Sequence, residues 1–533
     1  MIVPLSVADV LNDHVVLDLE CIDRMYLNVY QPQLQTPQMA YRFLRHAAVG
    51  GSVSSKYFQT TTQAFVKSIE TYAAAHGVVV RPFEKGERKD DVAAGFRKRF
   101  AGAEGVLFIG KAQEKTRSFR TVERVNEKTG QKFPWIVESS VMVNRYYFYA
   151  VDEDFGPFFL KFSSYFPYGA KLCINGHEYL KRQLAKEGVA FEALDNGILG
   201  CADPGRMQQI ADELSAGKID ALLRKWLAKL PHPFAPAHRG AGFCYDVSVV
   251  QAEFARTQVL DRPAAGRAFF EDAIRENLDV GRPEQVQLIF ARRVTKRTPG
   301  KFRTRVVTAG VTPSLHVDYK NSRIKQYFKE ERALRTETTI ANTGDFDIGK
   351  RLGNLPALRE VGFRANRRLL DVQKVSRDCA VGEAVFREVT SPQRVGTQRA
   401  SALPYGDELV LALFHALLPM RLLPRGFRGR ELREHVAPLT GETPESWTQG
   451  RLTYQLRRLR LHGLIHRVEG THRYEVSGRG LRVAAYFTRS YARLVRPGLG
   501  ELFSEKPMPS SKLREAMDRV DRVIDDYAAE SKI

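Results

Sequence analysis

Three groups of side chains in this 533-residue chain have the types and spacing that work on a phosphodiester requires. The first lies in SLHVDYKNSRIKQYFKEERALRTETTI, residues 314–340. Cleaving or transferring a phosphodiester needs a nucleophile, stabilisation of the leaving oxygen and, in most such enzymes, Mg²⁺ held by carboxylates. Tyr319 or Tyr327 can act as a covalent nucleophile and Lys325 as a phosphate neutraliser. Asp318 and Glu337 stand on what read as neighbouring strands, joined by a tight Glu-Glu-Arg turn, so they can converge. The same residue types also build an ordinary cross-strand Lys–Glu or Arg–Glu pair on an exposed hairpin.

The second group is LDLECIDR, with Asp18, Glu20 and Asp23. Side chains alternate along a strand, so Asp18 and Glu20 share one face. Asp18, Asp318 and Glu337 are the expected metal-holding acids, and Mg²⁺ is the expected ion. Asp152, Glu153, Asp154 and Asp195 are further acids, but the first three fit a polar hairpin turn. The third group is FLKFSSYFPYGAKLCINGHEYLKRQL, residues 159–184. Lys161 and Lys171 interleave with Tyr165 and Tyr168, which suits contacts to single strands and equally suits a core with a basic rim. Asn175 is placed to cap the following helix. His177 and Glu178 are adjacent and cannot share a helix face, which excludes HExxH zinc chemistry.

A basic stretch lies near the C-terminus. Residues 451–500 hold 11 Arg and 2 Glu. DELVLALFHALL, GRELREHVAPLTG and TQGRLTYQLRRLRLHGLI read as three successive helices, the third capped by Thr448 or Ser446. HRVEGTHRYEVSGRG follows as a short hairpin with Gly470 at its turn. In the third helix Leu452, Leu456, Leu459 and Gly463 have core spacing. Arg451, Tyr454, Arg457, Arg458 and Arg460 then spread over the remaining surface, and His472 and Arg473 sit at the hairpin tip. A helix entering a major groove needs long donors that reach base edges and phosphates, which Arg supplies. This order resembles the winged helix-turn-helix of bacterial regulators such as the MarR group. The resemblance covers about eighty residues and implies DNA binding.

Two local resemblances bear on chemistry. Tyr327, Lys329, Leu334, Arg335 and Glu337 resemble the Tyr-x-Lys and Leu-Arg-x-Glu strands of rolling-circle replication initiators. Those proteins commonly carry two metal-binding histidines just upstream. Here LHVD offers His316, and Asp318 stands where the second histidine belongs. Asp18 resembles the first-strand carboxylate of RNase H-like nucleases and transposases. The whole chain also resembles a broad set of functionally unassigned bacterial proteins, which adds no residue roles.

Composition bounds the rest. Lys and Arg number 82 against 61 Asp and Glu, a net charge of +21, which argues for a polyanionic partner. A second basic run, residues 291–340, holds 13 Lys and Arg against 4 acids. No run of eighteen apolar residues occurs, so no membrane partner is expected. The N-terminus has no secretory pattern, and five scattered cysteines form no CxxC, so reduced thiols in a cytoplasmic, nucleoid-associated protein are expected. Phosphate loops, GxGxxG and GxSxG are missing, so no nucleotide cofactor is expected.

The elements that would position these groups read as an α+β and α/β multidomain chain. An α/β module spans 1–134, with a strand–helix–strand unit at HGVVVRPF, Asp90–Phe100 and GVLFIG. An aromatic-rich α+β module spans 135–232. A Pro- and Gly-rich linker or long loop at 230–242 leads to a basic mixed region with the hairpin, 233–400. The winged helix spans 401–500 and a terminal helix 501–533. The expected function is nucleic-acid binding joined to DNA processing, of transposase, nuclease or replication-initiator type. A non-enzymatic regulator and an RNA-binding or RNA-guided effector are the alternatives, DNA being the first partner and RNA the second.

Overall fold

The computed structural model describes residues 7–47, 55–234, 236–266, 268–269, 302–307, 314–330, 332–374 and 381–496, with isolated positions beyond. The chain divides into two compact units, a mixed sheet unit (His14–Arg267 and Lys296–Asn366) and a mainly helical unit (Met1–Asp13, Ala268–Thr295 and Arg367–Ile533).

The strands of the sheet unit are β1 (Val15–Tyr30), β2 (Val80–Pro82), β3 (Gly105–Val125), β4 (Lys132–Asp152), β5 (Gly156–Ser163), β6 (Ala170–Asn175), β7 (Phe191–Leu194), β8 (Gly197–Cys201), β9 (Asp246–Leu260), β10 (Phe302–Val307), β11 (Ser314–Tyr319), β12 (Ser322–Lys329) and β13 (Ala333–Ile340). Eleven form one sheet in the order β10-β11-β12-β13-β9-β1-β6-β5-β4-β3-β2, and β7 and β8 form a separate hairpin. The β2–β3 pair is parallel, joined through the helix Lys89–Arg99 as the strand–helix–strand pattern predicts. The other described pairs are antiparallel, so the sheet as a whole is mixed.

Strand alternation splits the sheet into two unlike faces. On one face Leu27, Leu172, Leu160, Phe148 and Ile109 stand directly opposite one another across five strands, each at most 1% exposed. Helices seal this face: Phe65 and Tyr72 from Ser55–His76 meet Phe162 and Phe148, and Phe363 from Leu355–Lys374 meets Phe254. Burying such side chains is worth about 25 cal/mol per Å² of apolar surface, so this is the face that holds the unit together. On the other face the neighbouring row is Tyr26, Cys173, Phe159, Tyr149 and Phe108. Phe96 of the helix Lys89–Arg99 stacks on Phe108 at 4.4 Å and covers that end. Toward the middle, Arg24, Tyr26, Asn28, Lys161, Lys171, Gln251, Glu253 and Glu337 stay partly exposed.

Several expected boundaries fall differently. β4 runs through residue 134, and the sheet draws strands from all three of the first segments, so 134 and 232 separate no compact units. The aromatic shift near 135 marks one 21-residue strand paired to another. The segment 230–242 is not a linker: Phe234 and nearby Phe243 are 3% and 6% exposed and pack on Phe43. The run expected as one strand before the Glu-Glu-Arg turn is two, β11 and β12, folded back at Lys320, whose φ is +50°. The first part of the basic run 291–340, residues 291–301, and most of the terminal helix lie outside the described residues.

In the helical unit the order is helix Glu408–Met420, β16 (Phe427–Arg428), helix Gly429–Leu439, helix Gln449–Leu461, β17 (Ile465–Arg467), β18 (Arg473–Val476) and helix Gly478–Ser490, after a small hairpin β14 (Gln393–Val395) and β15 (Gln398–Ala400). The three-stranded sheet has the order β16-β18-β17. Leu413, Phe414, Leu417, Leu432, Val436, Leu452, Leu459, Ile465 and Phe487 are buried. Thr448 caps the third helix, its hydroxyl accepting from the Arg451 amide at 3.2 Å. Leu452, Leu456 and Leu459 take the core side as their spacing predicts, but exposed Gly463 does not. Gly463 ends that helix at φ +71°, a conformation glycine adopts without a Cβ penalty. Among the described residues no helix is long and apolar enough to cross a membrane.

Candidate nucleic-acid interface

Two surfaces carry the charge that the sequence singles out. On the third helix of the helical unit, Gln449, Gly450, Thr453, Tyr454, Arg457 and Arg460 are exposed. Spacings of three and four place Gln449, Thr453, Arg457 and Arg460 along one stripe. Arg457 lies 5.9 Å from the Tyr454 ring, and Arg460 donates to Gln398; neither has an ion-pair partner among the described residues. The expected cation set is narrowed. Arg458 is 8% exposed and donates to the Ser401 and Ala402 carbonyls, so it anchors the helix. Arg451 makes two bonds to Glu442, at 2.6 and 2.9 Å, and lies over Trp447. Tyr454 shares a hydrogen bond with Ser401. His472 is exposed at the hairpin tip, while Arg473 donates to the Gly426 carbonyl. Arg467, which the sequence reading passes over, is also exposed there.

In the sheet unit the predicted hairpin exists, with Tyr327 opposite Arg335 and Lys325 opposite Glu337. At its centre is Arg335, which is fully buried. Its guanidinium donates to Glu337 Oε1 at 2.7 Å, meets Asp23 Oδ2 and His177 Nε2 at 2.8 and 2.7 Å, and also reaches the Asn196 carbonyl. Tyr327 donates its hydroxyl to Glu337 at 2.8 Å, and the Lys325 ammonium lies 4.0 Å from the Tyr327 ring centre. The β7–β8 turn brings Asn196 over the cluster, where it also donates to Asp23. Gly176 brings His177 in: a Cβ there would overlap the Ile22 carbonyl, so only glycine lets this helix start against β1. Asn175 caps that helix as its sequence position predicts.

The electrostatics follow from burial. Burial pulls the Asp23 carboxyl up, but Arg335, helped by the hydrogen bond from Asn196, holds it well below its usual range. Burial raises Glu337, Arg335 draws it down and Asp23 pushes it up, leaving it above the ordinary carboxylate value. Arginine only donates, so the His177 Nε2 facing it must accept, and the ring is neutral. Burial, reinforced by Arg335, puts His177 well below its ordinary pKa.

The expected metal-holding acids do not come together. Asp18 takes the Arg256 guanidinium at 2.6–3.2 Å. Its pairing with Gln258, one face away from Cys21 and Ala255, puts it on the opposite side of the sheet from Glu337. Glu20 stays on that same far side, its backbone held by Gln208. β12 lies between Asp318 and Glu337, and Asp318 is in register with Thr339, which sets the backbones of the two acids roughly 12 Å apart. Among the described residues no group of three or more His, Cys, Asp or Glu side chains is placed to hold a metal ion. Asp152 is a buried structural hub, accepting from Lys225, Trp226 and the backbone of its own turn.

The third group splits. Tyr168 is 1% exposed and Tyr165 packs on Phe58, so both belong to the core side. Lys161 and Lys171 stand opposite each other on the open face. Lys161 donates to Glu114 at 2.9 Å and to Tyr147 at 3.2 Å, and Lys89 donates to Tyr147 at 2.6 Å. The alternation of β4, β5 and β6 could have shown that Lys161, Lys171 and Tyr147 share a face. The same alternation puts Arg145 beside Tyr147 on β4, but it could not have shown Glu114, which depends on the β3–β4 register. Compared with known protein families, curated proteins and solved structures, the chain matches none.

Proposed function

We propose that this chain binds nucleic acid, presenting the helix Gln449–Leu461 to a duplex groove as the reading helix of a winged helix. The single observation that carries this is the stripe Gln449, Thr453, Arg457 and Arg460, open along a helix followed by a hairpin in a sheet of order β16-β18-β17. The two arginines supply donors for base edges or phosphates, and Gln449 and Thr453 supply shorter polar contacts. Arg467 and His472 extend the basic surface to a neighbouring phosphate. Salt titration of duplex binding tests it. The log–log slope should be about −0.9 per phosphate neutralised, so a salt-independent affinity rules the reading out.

A second reading, DNA processing, is favoured by the Tyr327–Glu337 pair. Glu337 is positioned to take the phenolic proton as the Tyr327 oxygen bonds phosphorus and a phosphodiester P–O bond breaks. Lys325 would then protonate the departing oxygen. Nicking of supercoiled and single-stranded DNA, abolished in Tyr327→Phe, would support it. Equal nicking by that variant would remove Tyr327 as the nucleophile, and no nicking by the wild type would favour a non-enzymatic regulator.

A further inference from the structure

The cations on the open face of the sheet outnumber what balances them. Lys89, Arg145 and Lys161 surround Glu114 at 3.7, 3.7 and 2.9 Å. Lys171 stands beside Lys161 and makes no hydrogen bond or ion pair among the described residues. Arg145 is 9% exposed, and its Nε is buried without a hydrogen-bond partner. Three cations therefore share one carboxylate, and Lys171 stands beside them with no ion pair among the described residues, in a half-buried setting where each uncompensated charge is costly. Burial lowers the pKa of Lys161, Lys171 and Arg145, and Arg145 adds to the effect on both lysines. A bound anion would relieve that repulsion.

The chemistry beside this group narrows the anion. One row along the strands, Tyr26 and Phe159 stand on either side of Cys173, their ring centres 6.4 Å apart, and both are partly exposed. Adjacent rows on one face are separated by about 6.8 Å, the scale of one nucleotide unit. Arg24 follows at the far side of Tyr26, beside it in electrostatic reach. A positive patch flanked by part-exposed rings, on the part of this face that the described residues leave partly exposed, suits unpaired bases joined by phosphates, because every base offers a face for stacking. A duplex hides those faces.

We propose that this face seats a single-stranded polynucleotide, with a phosphate against Lys161, Lys171 and Arg145 and unpaired bases against Tyr26 and Phe159. This deepens the nucleic-acid reading but uses a different surface from the reading helix, so the two can fail separately. The test is fluorescence anisotropy of the full chain with a 20-nucleotide oligo-dT, a 20-nucleotide oligo-U and a duplex, with inorganic phosphate as competitor. Lys171→Gln should lower the single-strand salt slope by about 0.7, the value for one lost phosphate contact. Tyr26→Leu should weaken the single strand about tenfold, within the range seen for one lost stack. Both variants should leave duplex affinity unchanged, and matching urea midpoints show that folding is intact. Weakening on oligo-dT alone assigns DNA, and on oligo-U alone RNA; either supports the seat. Millimolar phosphate displacing the strand fully from Tyr26→Leu but only partly from the wild type supports the stacking contribution. Wild type that ignores both oligomers, or Lys171→Gln that binds them with unchanged slope, overturns the proposal. Loss of duplex binding alone would instead sink the reading helix.

Discussion

Arg335 and Arg457 are the same residue type in opposite circumstances. Arg335 is sealed in the sheet unit among Asp23, Glu337, His177 and Asn196, with its charge answered on every side. Arg457 is exposed on its helix, with no carboxylate in ion-pair range among the described residues. The first cation is matched by its own fold and is therefore tied to stability. The second is balanced by no described carboxylate, so it is available to a phosphate. Arg458, one residue along, falls with Arg335 rather than Arg457, because main-chain carbonyls surround it. Net charge counts all three alike; their surroundings decide which of them a partner can reach.

The largest effect should come from breaking the sealed case. Arg335→Met leaves Asp23 buried without its cation and should cost about 3–5 kcal/mol in urea unfolding. Asp23→Asn sharpens the point: if neutralisation is what Arg335 supplies, this second change should cost less in the Arg335→Met background than in the wild type. Additive losses would show that packing matters instead. A smaller effect concerns pH. His177 is held well below its ordinary pKa of 6.5 by burial, with Arg335 adding to it. Between those two values the unfolded chain binds the extra proton, so His177 contributes stability that is full above about pH 6.5 and lost as pH falls. Its share of the slope approaches about 1.4 kcal/mol per pH unit. His177→Gln should flatten the unfolding free energy by that amount between pH 6 and 5. Glu337, whose pKa is raised, runs the opposite way, losing stability as pH rises through its folded value, and is common to both proteins. Smaller again, Thr448→Ala should cost about 1 kcal/mol by exposing the start of the reading helix, and should also weaken duplex binding.

How much of this was legible depended on the range of the signal. The third helix and its leucine side follow from local spacing, as does the Asn175 cap; the sequence narrows the third helix's own cap to Thr448 or Ser446, and the structure selects Thr448. The β12–β13 hairpin was readable because its turn and its alternation are contiguous. The Arg335 cluster was not, because β13 meets β1 only through β9, and His177 arrives from a third part of the chain. Asp18 shows the converse failure. Its strand and its face were predictable, but Arg256, more than two hundred residues away, could not be identified as its partner. Gly463 fitted the core spacing and yet ends the helix, since a hydrophobic period does not mark where a helix stops.

The smallest stability effect belongs to the exposed arginines, and it makes the comparison decisive. Arg457→Ala and Arg460→Ala remove side chains that no described carboxylate balances, so each should change the unfolding free energy by less than about 0.5 kcal/mol. Binding should respond out of proportion. Each change should reduce the duplex salt slope by about 0.9 if the side chain meets one phosphate. If instead the side chain reads a base edge, affinity should fall by about 1–3 kcal/mol on the preferred sequence only, with the slope kept. Arg458→Ala should show the reverse order, losing stability first and binding only as the helix loosens. Were Arg457 and Arg458 to behave alike in both measurements, local neutralisation would not separate structural from binding arginines in this chain.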